Sequence, residues 1–381
     1  MFGLKNSLAL CCAMNIYMFN IYSMIIDHLK KIIIFGFCFL IYVTSSSQAS
    51  NSFVYNPKVY VVPYLEKNSF IKIDGDLSDI YWQKASWTTL FVDIEGETKP
   101  IPYHETKVKI LWDDEYLYIG AEIQEDHLWA TYDKQDMVIF QENNFEIFVD
   151  PDGDGQNYLE LEINALDTHW DLVLTKPYRD EGVALSSFDI KGLKKGVKKY
   201  GTINKVTDRD QRWTLEIAIP LSILSEISGL KSLGKEDDAM KMNFSRVEWD
   251  RLIIDGKYVK MKDDNGKIKP ANNWVWSPQA SKTMHQPETW GIVVLSKKEN
   301  QMTINEMIED DKIKWQMRKI YYYQKEFYKK NQMFTSTVPT EFSLTNFEIE
   351  VVGSTYTAEY CKGRICYYIR EDGKIWTSNK Y

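Results

Sequence analysis

The sequence predicts an all-β protein whose main body is a two-sheet antiparallel β-sandwich of the jelly-roll or immunoglobulin-like kind. Residues 60–296 hold many short runs in which apolar and polar residues alternate with a period of two, as in strands with one buried face. Helical periodicity is weak over the same residues, and polar turns separate the runs. Such a segment is long enough to bury a core between two sheets.

The strands are justified in chain order by their apolar positions. Four of them carry apolar residues at alternate positions: Val108, Ile110 and Trp112; Leu117, Ile119 and Ala121; Leu159, Leu161 and Ile163; and Leu215, Ile217 and Ile219. Residues 145–149 and 290–295 form two further strands. We expect Pro220 to end the strand that contains Ile219, because proline has no N–H to donate.

A helix and a small β-meander are predicted after the sandwich, so that residues 300–381 form an appendage. The residues expected on one face of the helix are Ile313, Met317, Ile320, Tyr321 and Tyr328. This face is expected to pack on the sandwich rather than on a membrane. The meander is predicted from residues 347–352, 355–361, 366–370 and 374–377, with a tight turn at Asp372-Gly373.

The first 49 residues have the features of a leader. Lys30 and Lys31 precede the apolar run 32–43, and Ser47 and Ala49 supply the small residues of a cleavage site. We expect cleavage after Ala49 and an exported protein that is periplasmic, cell-surface or secreted. An uncleaved anchor is the alternative and would be the only link to a membrane. Met24 begins a well-formed signal sequence and is the expected true start.

Two cysteines remain after the leader. Cys361 and Cys366 flank a short predicted turn, where they either form a disulfide in an oxidising compartment or stay as reduced thiols. The spacing leaves both alternatives open. The sequence contains neither a CxxC pair nor a Cys/His cluster, so it gives no indication of a zinc site.

The net charge and the absence of catalytic motifs limit the classes of function that the sequence supports. A net charge of −8, with 46 Lys and Arg against 54 Asp and Glu, argues against a nucleic-acid partner, which requires clustered basic residues. The sequence contains no GxSxG elbow and no HExxH motif, so no catalytic residue is nominated. These observations favour a binding module over an enzyme.

An ordered set of motifs indicates which kind of module this is. The motifs are residues 73–79 with Trp82, then 108–118, 145–152, 215–220, 243–246 and 285–291. In this order and spacing, residues 60–296 resemble a family 9 carbohydrate-binding module. The resemblance implies a β-sandwich that binds an oligo- or polysaccharide, often attached to polysaccharide-degrading glycoside hydrolases, with structural calcium ions.

The same resemblance implies a sugar site between two aromatic faces. The matching positions are Phe140 for one aromatic, Met284 with His285 for the other, and Glu146 and Asn164 for polar contacts. Glu162 stands where the family has an arginine, and Met284 replaces a ring, so the sequence departs from the family's pattern at both positions.

Other residues suggest a sugar platform independently of the family. Trp170, Tyr178 and Arg179 lie in segments read as loops, where binding residues concentrate. Trp274 and Trp276 are further candidates. Each aromatic taken alone is more often part of a core than of a site.

An acidic turn joins two of the predicted strands. Asp150, Asp152 and Asp154 alternate around glycines and could wrap a hard cation such as calcium. The alternative is a solvated hairpin turn, because Asp and Gly also favour turns.

The predicted function is therefore non-catalytic saccharide recognition in carbohydrate catabolism. Two alternatives remain. The first is a haem-binding sandwich of related fold that uses Met284 or His285, although adjacent strand residues point to opposite faces. The second is a cell-surface scaffold without a ligand.

Overall fold

Two β-sheets pack face to face and confirm the predicted sandwich. The computed structural model describes residues 55–67, 69–298, 300–339, 344 and 347–380, so the predicted leader lies outside the described residues. The larger sheet has nine strands: β1 Val59–Pro63, β2 Val92–Asp93, β5 Asn144–Asp150, β6 Tyr158–Ile163, β7 His169–Leu174, β8 Ala184–Leu185, β11 Ala239–Glu248, β14 Asn272–Val275 and β15 Gly291–Ser296. The smaller sheet has four: β3 Thr106–Trp112, β4 Tyr116–Gln124, β9 Lys194–Tyr200 and β10 Arg212–Pro220.

The larger sheet runs in the order β1-β15-β11-β5-β6-β7-β8, with β14 beside β11 and β2 beside β14. The smaller sheet runs β3-β4-β10-β9. Neighbouring strands are antiparallel except β1 and β15, which are parallel. The sequence pattern did not predict this pair, because period-two alternation carries no information on strand direction.

The main core lies between the two sheets. Val108, Ile110 and Trp112 on β3 are fully buried there, together with the alternate apolar residues of β4, β6 and β10. Burying one such side chain stabilises the fold by roughly 1.5–3 kcal/mol. Trp112 also donates from its indole N–H to the carbonyl of Val62 at 3.0 Å, so its polar atom is satisfied.

The outer face of the smaller sheet is covered by the segment that contains the first sequence motif. The indole N–H of Trp82 donates to Glu216 at 2.7 Å, and the amides of Asp74 and Gly75 donate to the other oxygen of Glu216. Gly75 has φ +85°, and a Cβ there would meet backbone atoms of Val197 at 2.6 Å. This motif therefore anchors the segment that covers the outer face of the smaller sheet.

A short helix and a hairpin are among the elements of the body that were not predicted. Helix α1, Leu221–Ser228, begins directly after Pro220 and is too short to show a periodic pattern. Strands β12, Arg251–Ile254, and β13, Lys257–Lys260, form a separate hairpin. Both are local excursions between strands of the sandwich.

The C-terminal helix and meander are present as predicted. Helix α2 spans Gln301–Asn331 and begins after Asn300, whose side chain accepts from the amide of Met302. The meander consists of four strands: β16 Phe347–Val352, β17 Thr355–Lys362, β18 Ile365–Arg370 and β19 Ile375–Asn379. Cys361 and Cys366 are register partners on β17 and β18 and form a disulfide.

Helix α2 packs on both the meander and the sandwich. Ile313, Met317, Ile320 and Tyr321 share one buried face as predicted. That face packs on the meander, so the expectation that it packs on the sandwich is wrong, because an amphipathic pattern does not specify which surface covers it. Contacts to the sandwich include an ion pair in which Asp311 lies 3.1 Å from Lys241 of β11. Within the described part of the chain, neither helix is long and apolar enough to span a membrane.

Candidate ligand-binding pocket

A pocket of about 520 Å³ opens on the face of the larger sheet that points away from the main core. Strands β5, β6 and β7, the end of β11 and the loop before β15 line it. Six of the predicted site residues line this pocket: Phe140, Glu146, Trp170, Tyr178, Met284 and His285. The structure thus brings most of the family-matched residues into one site with two of the independently nominated aromatics, Trp170 and Tyr178.

The alternation of side chains along β5 and β6 determines which residues form the floor of the pocket. The odd-numbered residues of β5 and β6 face the core, so the even-numbered ones face the pocket. Glu146 lies opposite Glu162, and Phe148 lies opposite Glu160. The floor therefore combines three carboxyl groups with one aromatic ring.

One wall of the pocket is aromatic. The rings of Phe140 and Trp170 form the aromatic platform of the pocket, with centroids 6.4 Å apart and planes inclined by 27°. The amide of Phe140 donates to Glu162 at 2.7 Å, and the indole N–H of Trp249 donates to the carbonyl of Phe140 at 3.0 Å. Trp170 lies on strand β7, so the prediction that it lies in a loop is wrong.

The opposite wall consists of Tyr178 and the loop that precedes β15. Tyr178 meets the edge of His285 with centroids 4.6 Å apart, and Nδ1 of His285 lies 3.1 Å from the hydroxyl of Tyr158. Burial and the charge of Arg179 lower the pKa of His285 to about 4. The imidazole is therefore neutral at neutral pH.

Met284 contributes packing rather than a flat surface. Its side chain is largely buried in the cluster that contains Phe148 and Trp290, and its sulfur accepts from Gln279 at 3.3 Å. Met284 and His285 lie outside any strand, and both line the pocket. The expectation that strand alternation sends them to opposite faces is therefore wrong.

Burial dominates the electrostatics of the floor. It raises the pKa of Glu146 to about 7. Burial and the neighbouring carboxyl groups raise the pKa of Glu160 and of Glu162 well above the usual range. A carboxyl group in such a site can donate as well as accept a hydrogen bond at neutral pH.

Two predicted site residues do not line the pocket. Asn164 is fully buried and donates to Glu142 and to the carbonyl of Tyr132, both at 2.8 Å, so it orders a turn. Arg179 lies behind the wall and donates to Glu288 at 2.9 Å.

The tryptophans Trp274 and Trp276 are buried in the main core and form no platform. Two lining residues that the sequence reading did not nominate are Glu160 and Trp249. Glu160 alternates with core residues in the same strand as Glu162, and this alternation could have identified it as a lining residue. No sequence pattern identified Trp249, because this residue directly follows the end of a strand.

The acidic turn between β5 and β6 forms a separate cluster. Asp150, Asp152 and Asp154 each place a carboxylate oxygen within 4.8 Å of the others. One oxygen of Asp152 is buried and has no hydrogen-bond partner within the part of the chain that the structure describes, whereas Asp154 lies 2.8 Å from Lys374. Converging oxygens with one unsatisfied acceptor fit a hard cation.

A model of the family described as "Carbohydrate family 9 binding domain-like" matches residues 73–298, which is more than half of the chain. The chain belongs to this family. The family 9 domain thus contains most of both sheets and the whole pocket, and α2 begins after it. The resemblance predicted for residues 60–296 is confirmed over nearly its full length.

Several solved structures are similar to this family 9 domain. A family 9 module from Caldicellulosiruptor kristjanssonii in complex with cellotriose is 18% identical, covers 64% of this chain and 96% of its own, and has a TM-score of 0.40. A family 9 module from the same organism in complex with glucose is 19% identical, covers 64% of this chain and 98% of its own, and has a TM-score of 0.40. A proposed carbohydrate-binding protein from Bacteroides uniformis is 16% identical, covers 63% and 100%, and has a TM-score of 0.46. No curated protein matches the chain.

Proposed function

We propose that this protein is an exported, non-catalytic carbohydrate-binding protein that holds a saccharide in the pocket and serves polysaccharide catabolism. The observation that carries the proposal is the Phe140 and Trp170 platform beside a floor of carboxyl groups. A pyranose ring has an apolar C–H face that packs on flat rings, and hydroxyl groups at its edge that bond with carboxyl groups. Membership of a carbohydrate-binding family supports the same ligand class.

A binding screen tests this function. Wild-type protein should bind at least one soluble or insoluble polysaccharide with micromolar to millimolar affinity, roughly −8 to −4 kcal/mol. The Trp170→Ala variant should lose that binding. Phe70→Ala is the matched control, because Phe70 is 77% exposed and lies outside the pocket. Absence of any binder across the screen would reject the saccharide and favour a scaffold.

Export is part of the proposal and has its own test. Lys30, Lys31 and the apolar run 32–43 support a leader that is removed after Ala49. N-terminal sequencing of the native protein should give a start near Ser50. A retained leader would instead mean an anchored protein.

We also propose a structural calcium ion at the acidic turn. Asp150, Asp152 and Asp154 would hold it with carboxylate oxygens, as a hard cation requires. Such an ion would tie the end of β5 to the start of β6, next to the meander strand β19. Its role would be to stabilise the fold and not to contact the saccharide.

A further inference from the structure

The floor of the pocket concentrates acidic groups. Glu146, Glu160 and Glu162 are 3%, 6% and 1% exposed, and all three line the same cavity. Glu146 and Glu162 are direct partners on β5 and β6, and Glu160 lies on the same face of β6. Three like-charged groups in one buried site destabilise one another unless something compensates them.

The basic residues nearest to this floor have other roles. Arg179 forms an ion pair with the buried carboxylate of Glu288. Lys260 donates to the carbonyl of Gln141 and lies 3.4 Å from the ring centroid of Trp249. Lys282 is exposed at the rim. Over the described residues, none of these cations bonds to Glu146, Glu160 or Glu162.

Glu160 is the least compensated of the three. Glu162 accepts from the amide of Phe140, and Ser245 and Asn144 lie beside Glu146. No backbone N–H and no basic side chain in the described segments donates to Glu160, whose polar neighbour is the carboxyl group of Glu162. Glu160 is therefore a nearly buried side chain at the cavity whose hydrogen-bond partner, within the described segments, is another carboxyl group.

The polar network around the floor is incomplete in the same sense. The side-chain oxygen of Asn144 is buried and has no hydrogen-bond partner among the described residues, whereas its amide nitrogen lies 3.4 Å from Glu162. Acceptors thus exceed donors on this side of the sheet. A ligand that brings hydrogen-bond donors and positive charge would correct both deficits.

We infer that the saccharide bound in this pocket carries a positively charged amino group, as an unacetylated amino sugar such as glucosamine does, and that the ammonium group is directed at Glu160. This inference rests on the proposed function. An ammonium group supplies three donors and a full charge, and its positive charge favours the ionised form of Glu160, which releases its proton as the ammonium group binds. The ring of the same sugar unit would lie on Phe140 and Trp170.

The carboxyl groups of the floor should also discriminate between an amino sugar and chemically similar sugars. An acetamide in place of the amine removes the charge and brings a carbonyl acceptor towards the carboxyl groups. A hydroxyl group supplies one donor and no charge. Uronic acids and sulfated sugars would be repelled by the same groups.

Three trisaccharides with the same β-1,4 backbone provide the test. They differ only at carbon 2: the glucosamine trimer carries ammonium, the N-acetylglucosamine trimer carries acetamide, and cellotriose carries hydroxyl. Titration calorimetry on the wild-type protein at low ionic strength and pH 6 should show the glucosamine trimer binding at least about tenfold more tightly than the other two.

Two variants assign that preference to a residue. Glu160→Gln keeps the shape of the side chain and should reduce the preference to about threefold or less. Glu226→Gln removes one charge from the exposed face of α1, outside the pocket, and should keep the full preference. Matching circular dichroism spectra and melting temperatures would show that both variants are folded.

The outcomes separate this inference from the proposed function. If cellotriose or the acetylated trimer binds as well as the glucosamine trimer, the inference is overturned while saccharide binding stands. If the preference persists in Glu160→Gln, the assignment to Glu160 is wrong. If none of the three binds, the inference is overturned, and the polysaccharide screen alone then decides the proposed function.

Discussion

Glu146 on β5 lies directly opposite Glu162 on β6, so two buried carboxyl groups face one pocket across a single pair of strands. Like-charged residues at such positions destabilise a sheet. The pair therefore costs stability, and a site that tolerates such a cost is a candidate for function. The first prediction measures this cost.

Replacing Glu146 by Gln should stabilise the protein at high pH and not at low pH. Burial raises the pKa of Glu146 to about 7 from an ordinary value of 4.5. The folded state then binds the proton more tightly than the unfolded state, so stability is lost as pH rises from 4.5 to 7. The full difference is about 3 kcal/mol.

Chemical denaturation at pH 4.5, 6 and 8 checks this prediction. The stability of Glu146→Gln relative to wild type should increase along this series. Glu226→Gln, an exposed carboxylate on α1, should show no such trend. A pH-independent difference for Glu146→Gln would contradict the account of the floor.

The pair of Arg179 and Glu288 joins the wall of the pocket to helix α2. Glu288 is buried, accepts from Arg179 at 2.9 Å and also accepts from the hydroxyl of Tyr322 on α2. Burial opposes ionisation of Glu288, yet the charges of Arg179 and Arg318 lower its pKa to about 2. Arg179 is thus a structural residue behind the wall.

Arg179→Met should therefore destabilise the fold by about 3–5 kcal/mol at pH 7, because it leaves Glu288 as a buried charge with less compensation. Urea denaturation measures the change. The double variant Arg179→Met with Glu288→Gln should recover part of the loss. A loss below 1 kcal/mol in the single variant would show that the pair does not hold the helix to the sandwich.

Calcium should raise the melting temperature of metal-stripped protein, since a ligand that binds only the folded state stabilises it. Asp152→Asn should abolish the shift. Lys374→Met should enlarge it, because the Lys374 ammonium group lies 2.8 Å from Asp154 and competes with a cation. Equal melting curves with millimolar calcium and with chelator would leave the acidic turn as a simple hairpin.

Loss of the aromatic platform should weaken saccharide binding without unfolding the domain. Trp170 is half-buried at the pocket, and stacking on a ring of this size contributes about 0.5–1.5 kcal/mol beyond burial. With lost burial included, Trp170→Ala should reduce affinity by at least about tenfold. Affinity electrophoresis with the best polysaccharide from the screen measures this, and an unchanged mobility shift would place the ligand elsewhere.

Much of the fold follows from local patterns. The strands around Ile110, Ile119, Leu161 and Ile217 lie where period-two alternation predicts them, and Pro220 ends its strand. The C-terminal meander matches its predicted bounds within two residues. These elements are predictable because each has an apolar face that repeats within a few residues.

The pocket depends on contacts that no local pattern contains. The pairing of Glu146 with Glu162 depends on strand register, and the pairing of Arg179 with Glu288 joins residues far apart in the chain. Asn164 matched a family position, but its amide is taken up by Glu142. Strand β7 was missed because it begins with polar and aromatic residues that resemble a loop.

A crystal structure of the protein with the tightest-binding oligosaccharide tests the central claim most directly. The account predicts density for a pyranose ring stacked on Phe140 and Trp170, at the roughly 4 Å separation of carbon atoms in contact. Its polar edge should lie over Glu146 and Glu160. Density for the saccharide at any other surface, with this pocket unchanged, would contradict the account.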